Sequence, residues 1–194
     1  LCYVVILLVR DWCCSFFLQA DGGMRGLTVT GLQTCALPIS TDENLIIYFH
    51  GRGYVGGSIS SHRNLTGHLA LHSGCRVLSV EYRLAPEHPH PAAVEDAVTS
   101  YTWAVAQGYD PGRIALAGDS AGGGLTAACL IALRDQQIQL PAAAMMISPW
   151  LDMGFTGESM VTNEARDSSI SAISMPRMRS EERRVGQECR SRWS

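Results

Sequence analysis

A serine set among glycines, Gly118-Asp119-Ser120-Ala121-Gly122-Gly123-Gly124, constrains this chain more than any other stretch. Before it runs Arg113-Ile114-Ala115-Leu116-Ala117, bounded by Pro111-Gly112 and apolar enough for a buried strand. After it, residues 125–133 form an apolar run of helical length. A strand, then Gly-x-Ser-x-Gly, then a helix makes a nucleophile elbow, a sharp turn that lifts the serine hydroxyl above the end of a sheet. A side chain at Gly118 or Gly122 would collide with the neighbouring strand or helix. The turn also leaves the Ala121 N–H at a helix N-terminus, where unpaired donors and the helix dipole favour an oxyanion. Glycine is about 7% of an average sequence, so the bare pattern arises by chance in roughly one chain of this length in twenty. Its setting separates it from chance.

The rest of the chain supplies that setting. Leu45–Phe49 is a continuous apolar run, as a parallel strand buried on both faces would be, and it ends in His50-Gly51-Arg52-Gly53-Tyr54. A helix is predicted over 61–72, with Leu65 and Leu69 inward and Gly74 closing it. The next strand covers 76–82, and Pro86, Pro89 and Pro91 then impose an extended loop. A helix over 92–107 carries Val94, Ala97, Val98, Tyr101, Ala104 and Val105 on one stripe. The elbow helix buries Leu125, Ala128, Cys129 and Ala132, and a fourth strand covers 142–147. Strands alternating with helices predict an α/β fold, a mostly parallel sheet with helices on both faces.

Composition removes several classes of function. A net charge of −3 with 17% charged residues gives no basic footprint for nucleic acid. At 194 residues and 46% hydrophobic, the chain can bury one sizeable core. Its seven cysteines show neither CxxC nor Cys/His metal spacing. Cys75 and Cys129 fall in a predicted strand and helix, so buried free thiols and a reducing, cytoplasmic setting are expected. The apolar stretches at 4–9 and 12–18 are interrupted by Arg10-Asp11, too broken for a membrane span of about 20 residues.

Both ends differ from the middle. Residues 16–23 and 29–40, and the tail 179–194, resemble translated sequencing-adapter DNA. The expectation is therefore three parts: a non-family flank at 1–40, a core fragment at 41–178, and a non-family tail at 179–194. Neither flank should pack well on the core, because no apolar period links them.

Within 41–178, four blocks resemble the hormone-sensitive-lipase-like branch of the α/β-hydrolases. They are His50-Gly51-Arg52-Gly53-Tyr54, Tyr82-Arg83-Leu84-Ala85-Pro86-Glu87-His88-Pro89, Gly118-Asp119-Ser120-Ala121-Gly122-Gly123, and Ser148-Pro149-Trp150-Leu151-Asp152. The resemblance implies a partial α/β-hydrolase fold lacking its C-terminal strands, acting on small carboxylic esters through an acyl-enzyme, with neither metal nor organic cofactor. It makes Ser120 the nucleophile and the backbone N–H groups of Arg52, Gly53 and Ala121 the oxyanion donors. His50, Gly51, Gly118, Asp119 and Gly122 support the two motifs, with His50 as a loop histidine and not the base.

Two departures from the family pattern stand out. Arg52 occupies the middle of what is elsewhere a run of three glycines, where it loses glycine-only dihedrals and brings a cation. Further, all six histidines, at 50, 62, 68, 72, 88 and 90, precede Ser120. The family's acid and base follow the serine. Asp135, Asp152 and Asp167 do follow it, but too early to match the family's acid. The chain is therefore expected to be an inactive fragment of an esterase, with no acid or base of the triad. The alternative is a non-catalytic protein of the same fold that binds a small ligand. His88 or His90 is the remaining candidate for a substitute base.

Overall fold

A computed structural model describes residues 43–158, together with Val4–Leu8, Thr28–Val29, Leu32–Gln33 and Thr162. In chain order the elements are β1 (Val4–Leu8), β2 (Thr28–Val29), β3 (Leu32–Gln33), β4 (Leu45–Phe49) and α1 (Ile59–Ser73). There follow β5 (Arg76–Val80), α2 (Ala92–Ala106), a 3-10 turn at Pro111–Arg113, β6 (Ile114–Asp119), α3 (Ala121–Asp135) and β7 (Ala143–Ile147). The main sheet runs β1-β7-β6-β4-β5, while β2 and β3 form a separate two-stranded pair. Strands β7, β6, β4 and β5 are parallel, as the alternating pattern predicts.

Alternate residues of β4 feed two cores. Leu45, Ile47 and Phe49 join Leu78, Val80, Ile114 and Leu116 beneath α2 and α3, which contribute Ala97, Tyr101, Ala104, Leu125, Cys129 and Leu133. Ile46 and Tyr48 face the other way, with Val77, Ala115 and Ala117, and meet Leu69 and Ala70 of α1. Each fully buried Ile, Leu or Phe contributes about 1.5–3 kcal/mol of hydrophobic stabilisation. The sheet is thus apolar on both faces, which is why β4 shows no alternation in sequence.

Local signals set the helix ends. Ser58 and Ser61 close a reciprocal capping box at the start of α1, and Gly74 ends it with φ 69°. The Glu81 carboxylate accepts a further hydrogen bond from the Ile59 N–H at 2.8 Å. Arg83 grips the start of α2, donating to both carboxylate oxygens of Asp96 and to Glu95. Cys75 and Cys129 are buried free thiols as expected, and burial pushes the Cys129 thiol up to about 12.

Three expectations need correction. Leu65 does not point inward but is 41% exposed, and Thr66 takes the buried position. Its hydroxyl donates to the His62 carbonyl one turn back, so burial leaves no polar atom unpaired. The proline-rich stretch is a turn at 85–87 closed by His88 N–H donating to Leu84 O, not an extended loop.

The third concerns the leading flank. The main chain of Val4–Leu8 lies antiparallel along β7, Val4 opposite Ile147 and Leu8 opposite Ala143. An edge strand carries a row of unpaired N–H and C=O groups, and an extended run can satisfy them without any matching side-chain period. The tail at 179–194 lies outside the described residues, as does Asp167. Among the described residues no helix is long and apolar enough to cross a membrane.

Candidate active site

Parallel pairing places the two glycine motifs side by side. Phe49 at the end of β4 is level with Gly118 near the end of β6, so the loops leaving both strands emerge together. Ser120 sits between β6 and α3, at the N-cap of the helix, with φ 50° and ψ −116°. A non-glycine residue at that φ is strained by the order of 1–3 kcal/mol, and neighbours must hold it there. They do so through main-chain bonds. Ser120 N–H donates to Ile147 O at 2.9 Å, and Ser120 O accepts from Trp150 N–H at 2.8 Å and Gly124 N–H at 3.0 Å.

The glycines flanking Ser120 are set by close approach. A Cβ on Gly118 would lie 2.8 Å from the Phe49 carbonyl oxygen and closer still to Gly122 O. One on Gly122 would lie 2.7 Å from His50 O and press harder against Phe49 O. The obstacles are main-chain atoms of the end of β4, of His50 just beyond it and of α3, and they cannot step aside. This is the collision read from the sequence.

Asp119 joins the elbow to the other loop. Its Oδ1 accepts from Gly51 N–H at 2.9 Å and from the Tyr48 hydroxyl at 2.7 Å. Its Oδ2 lies 3.4 Å from His62 Nε2 on α1. Burial, then the neighbouring Asp119 carboxylate, pushes the Tyr48 hydroxyl far above the ordinary tyrosine range, so it remains a donor. Sequence reasoning assigned no role to Tyr48 or His62. Tyr48 is an ordinary apolar-run residue in sequence, and His62 lies 57 positions before its partner.

His50 is buried, stacked on Tyr82 with ring centroids 4.4 Å apart and on His62 at 5.6 Å. Burial holds its imidazole below the ordinary histidine range, against a weaker opposing pull from the Gly51 carbonyl. Its main-chain oxygen accepts from the Tyr82 hydroxyl at 2.6 Å. These contacts fix the His50 ring against Tyr82 and His62.

Arg52, Gly53 and Tyr54 follow with φ of 83°, 69° and 63°. Arg52 is exposed, whereas Gly53 and Ala121 are buried. The remaining candidates are dispersed. Asp135 is ion-paired to Arg134. Asp152 caps its own turn, accepting from the Gly154 and Thr156 N–H groups. His88 is exposed and His90 half-buried, both between β5 and α2. Among the described residues no group of three His, Cys, Asp or Glu side chains is placed to hold a metal.

The left-handed backbone at Arg52 carries a testable consequence. That conformation strains a side-chain-bearing residue by about 1–2 kcal/mol, while glycine loses about 0.5–1 kcal/mol of unfolded-chain entropy. Arg52→Gly should raise the melting temperature by about 1–4 °C. Arg52→Ala, which removes the charge but keeps the Cβ, should leave it unchanged in the same calorimetric scan.

Residues 46–185 match the α/β hydrolase fold family, and the chain belongs to it. Within that family it is a hormone-sensitive-lipase-like member. Its similarity extends to a solved esterase of the bacterial hormone-sensitive lipase family, 48% identical, with a TM-score of 0.76 over 83% of this chain and 55% of that one. An acetyl-hydrolase of Streptomyces hygroscopicus is 48% identical over 141 residues, 73% of this chain and 47% of the relative. An esterase of Acinetobacter venetianus is 36% identical over 165 residues, 84% of this chain and 54% of the relative. The chain thus spans about half the length of the curated relatives it matches.

Proposed function

We propose that this chain is the nucleophile-bearing part of a serine carboxylic ester hydrolase acting on small esters. In that reading the Ser120 hydroxyl oxygen attacks the ester carbonyl carbon, and its proton passes to a base. The carbonyl oxygen becomes an oxyanion held by the Arg52, Gly53 and Ala121 N–H groups. Collapse expels the alcohol, which takes the proton, and leaves an acyl group on Ser120. Water then repeats the sequence and releases the acid. Each oxyanion donor is worth on the order of 3 kcal/mol to the transition state.

The observation that carries the reading is the strained backbone of Ser120 at a strand-to-helix turn, bound through Asp119 to the His50–Gly51 loop. The three proposed donors support it, since none of their amides is hydrogen-bonded among the described residues. The names of the relatives, an acetyl-hydrolase and an esterase, support the substrate class.

The test is made on a chain extended to the length of those relatives. It should release p-nitrophenol from a short-chain p-nitrophenyl ester, and Ser120→Ala should lower kcat on the order of 10⁶-fold. Turnover that survives Ser120→Ala would remove Ser120 from the chemistry. The second reading is a non-catalytic protein of the same fold that binds a small ligand. An extended chain that binds esters without turning them over would decide for it.

A further inference from the structure

We propose that His68 and His72 form a two-histidine site for a borderline divalent transition metal, Zn²⁺, Ni²⁺ or Cu²⁺, on the outer face of α1. A spacing of four residues stacks two side chains on one helix face, about 6 Å apart along the axis and roughly 40° apart around it. The two rings follow that geometry, with centroids 5.9 Å apart and planes within 12° of parallel. Both residues are exposed. Neither ring enters a hydrogen bond or ion pair among the described residues, so their nitrogens are open to a ligand.

Imidazole nitrogens bind these metals at about 2.0–2.1 Å, which brings two ligating nitrogens to roughly 3 Å from one another. Ring rotation on a fixed helix meets that requirement. The location adds to it. His72 lies in the last turn of α1, just before Gly74. Unpaired carbonyls there give the helix end a partial negative charge that favours a cation.

The ligand set decides which cation. No carboxylate among the described residues completes a group of three with the pair, so water fills the remaining positions. Imidazole suits Zn²⁺, Ni²⁺ and Cu²⁺, whereas Mg²⁺ and Ca²⁺ demand oxygen. The other stacked pair, His50 with His62, is closed to this role. His50 is buried, and His62 faces Asp119. Metal at His68 and His72 therefore joins adjacent turns of α1 without entering the serine site.

The experiment is calorimetric titration of the 194-residue protein with NiCl₂, ZnCl₂ and MgCl₂ in separate runs. Wild type should bind Ni²⁺ and Zn²⁺ but not Mg²⁺. His68→Ala and His72→Ala should each weaken Ni²⁺ binding on the order of 10²-fold, the gain that joining two binding groups supplies. His88→Ala, on an exposed loop, should leave it unchanged. With Ni²⁺ a hundredfold above its Kd, the melting temperature should rise by roughly 5–10 °C in wild type and not in either variant. Absent binding, binding that survives both substitutions, or equal affinity for Mg²⁺ would each overturn the proposal.

Discussion

Purified as its 194 residues stand, the protein should hydrolyse a short-chain p-nitrophenyl ester no faster than its Ser120→Ala variant. An unassisted serine hydroxyl is a poor nucleophile at neutral pH, and the reaction reading requires a base beside it. Among the described residues no histidine is hydrogen-bonded to the Ser120 hydroxyl. His50 is buried under the loop, His62 faces Asp119, and His68 and His72 stack on one another. That leaves His88 and His90 between β5 and α2. Removing a triad member from an intact site leaves roughly 10³–10⁴ over the rate in water, carried by the oxyanion hole and binding. The contrast with an extended, active chain should therefore reach several orders of magnitude. Serine-dependent turnover by the 194-residue protein would contradict this, and His88→Ala and His90→Ala would then identify the base.

The second large effect concerns stability. Gly122→Ala should destabilise the fold by about 3 kcal/mol or more and lower the melting temperature by roughly 6–12 °C. The added methyl group would overlap Phe49 O at the end of β4 and approach His50 O just beyond it, both main-chain atoms. Gly67→Ala supplies the opposite case. Nothing lies within 4 Å of a Cβ at Gly67, inside α1. The same substitution there should stabilise by about 0.4–1 kcal/mol through helix propensity and unfolded-chain entropy. Urea denaturation of the two variants beside wild type measures both signs at once. Equal and small effects would mean that the elbow is not packed against β4 as described.

Much of this architecture was legible because parallel strands buried on both faces leave an unmistakable trace. The run Leu45–Phe49 matches β4 from end to end, and the elbow appears where its glycines require it. Helix α1 was harder. Hydrophobicity alone points Leu65 inward, whereas Thr66 is buried with its hydroxyl paired inside the helix and Leu65 faces outward. The pairing of Val4–Leu8 with β7 could not be read at all, since main-chain bonding at an edge has no side-chain signature. The same holds for the partners of Asp119. Tyr48, Gly51 and His62 lie far from it in sequence, and only the register of β4 with β6 brings them together.

That single carboxylate has a genetic consequence. Tyr48, Gly51 and His62 occupy a strand, a loop and a helix, yet all three meet at Asp119. Substitutions at residues with a shared partner do not add independently. A change at one of these positions therefore alters what the next change does, and the order in which they arise matters. Exposed positions such as Leu65 and Leu151 carry no such history. Divergence in a lineage of this fold has room at the surface, while around Asp119 it is confined to a few ordered paths.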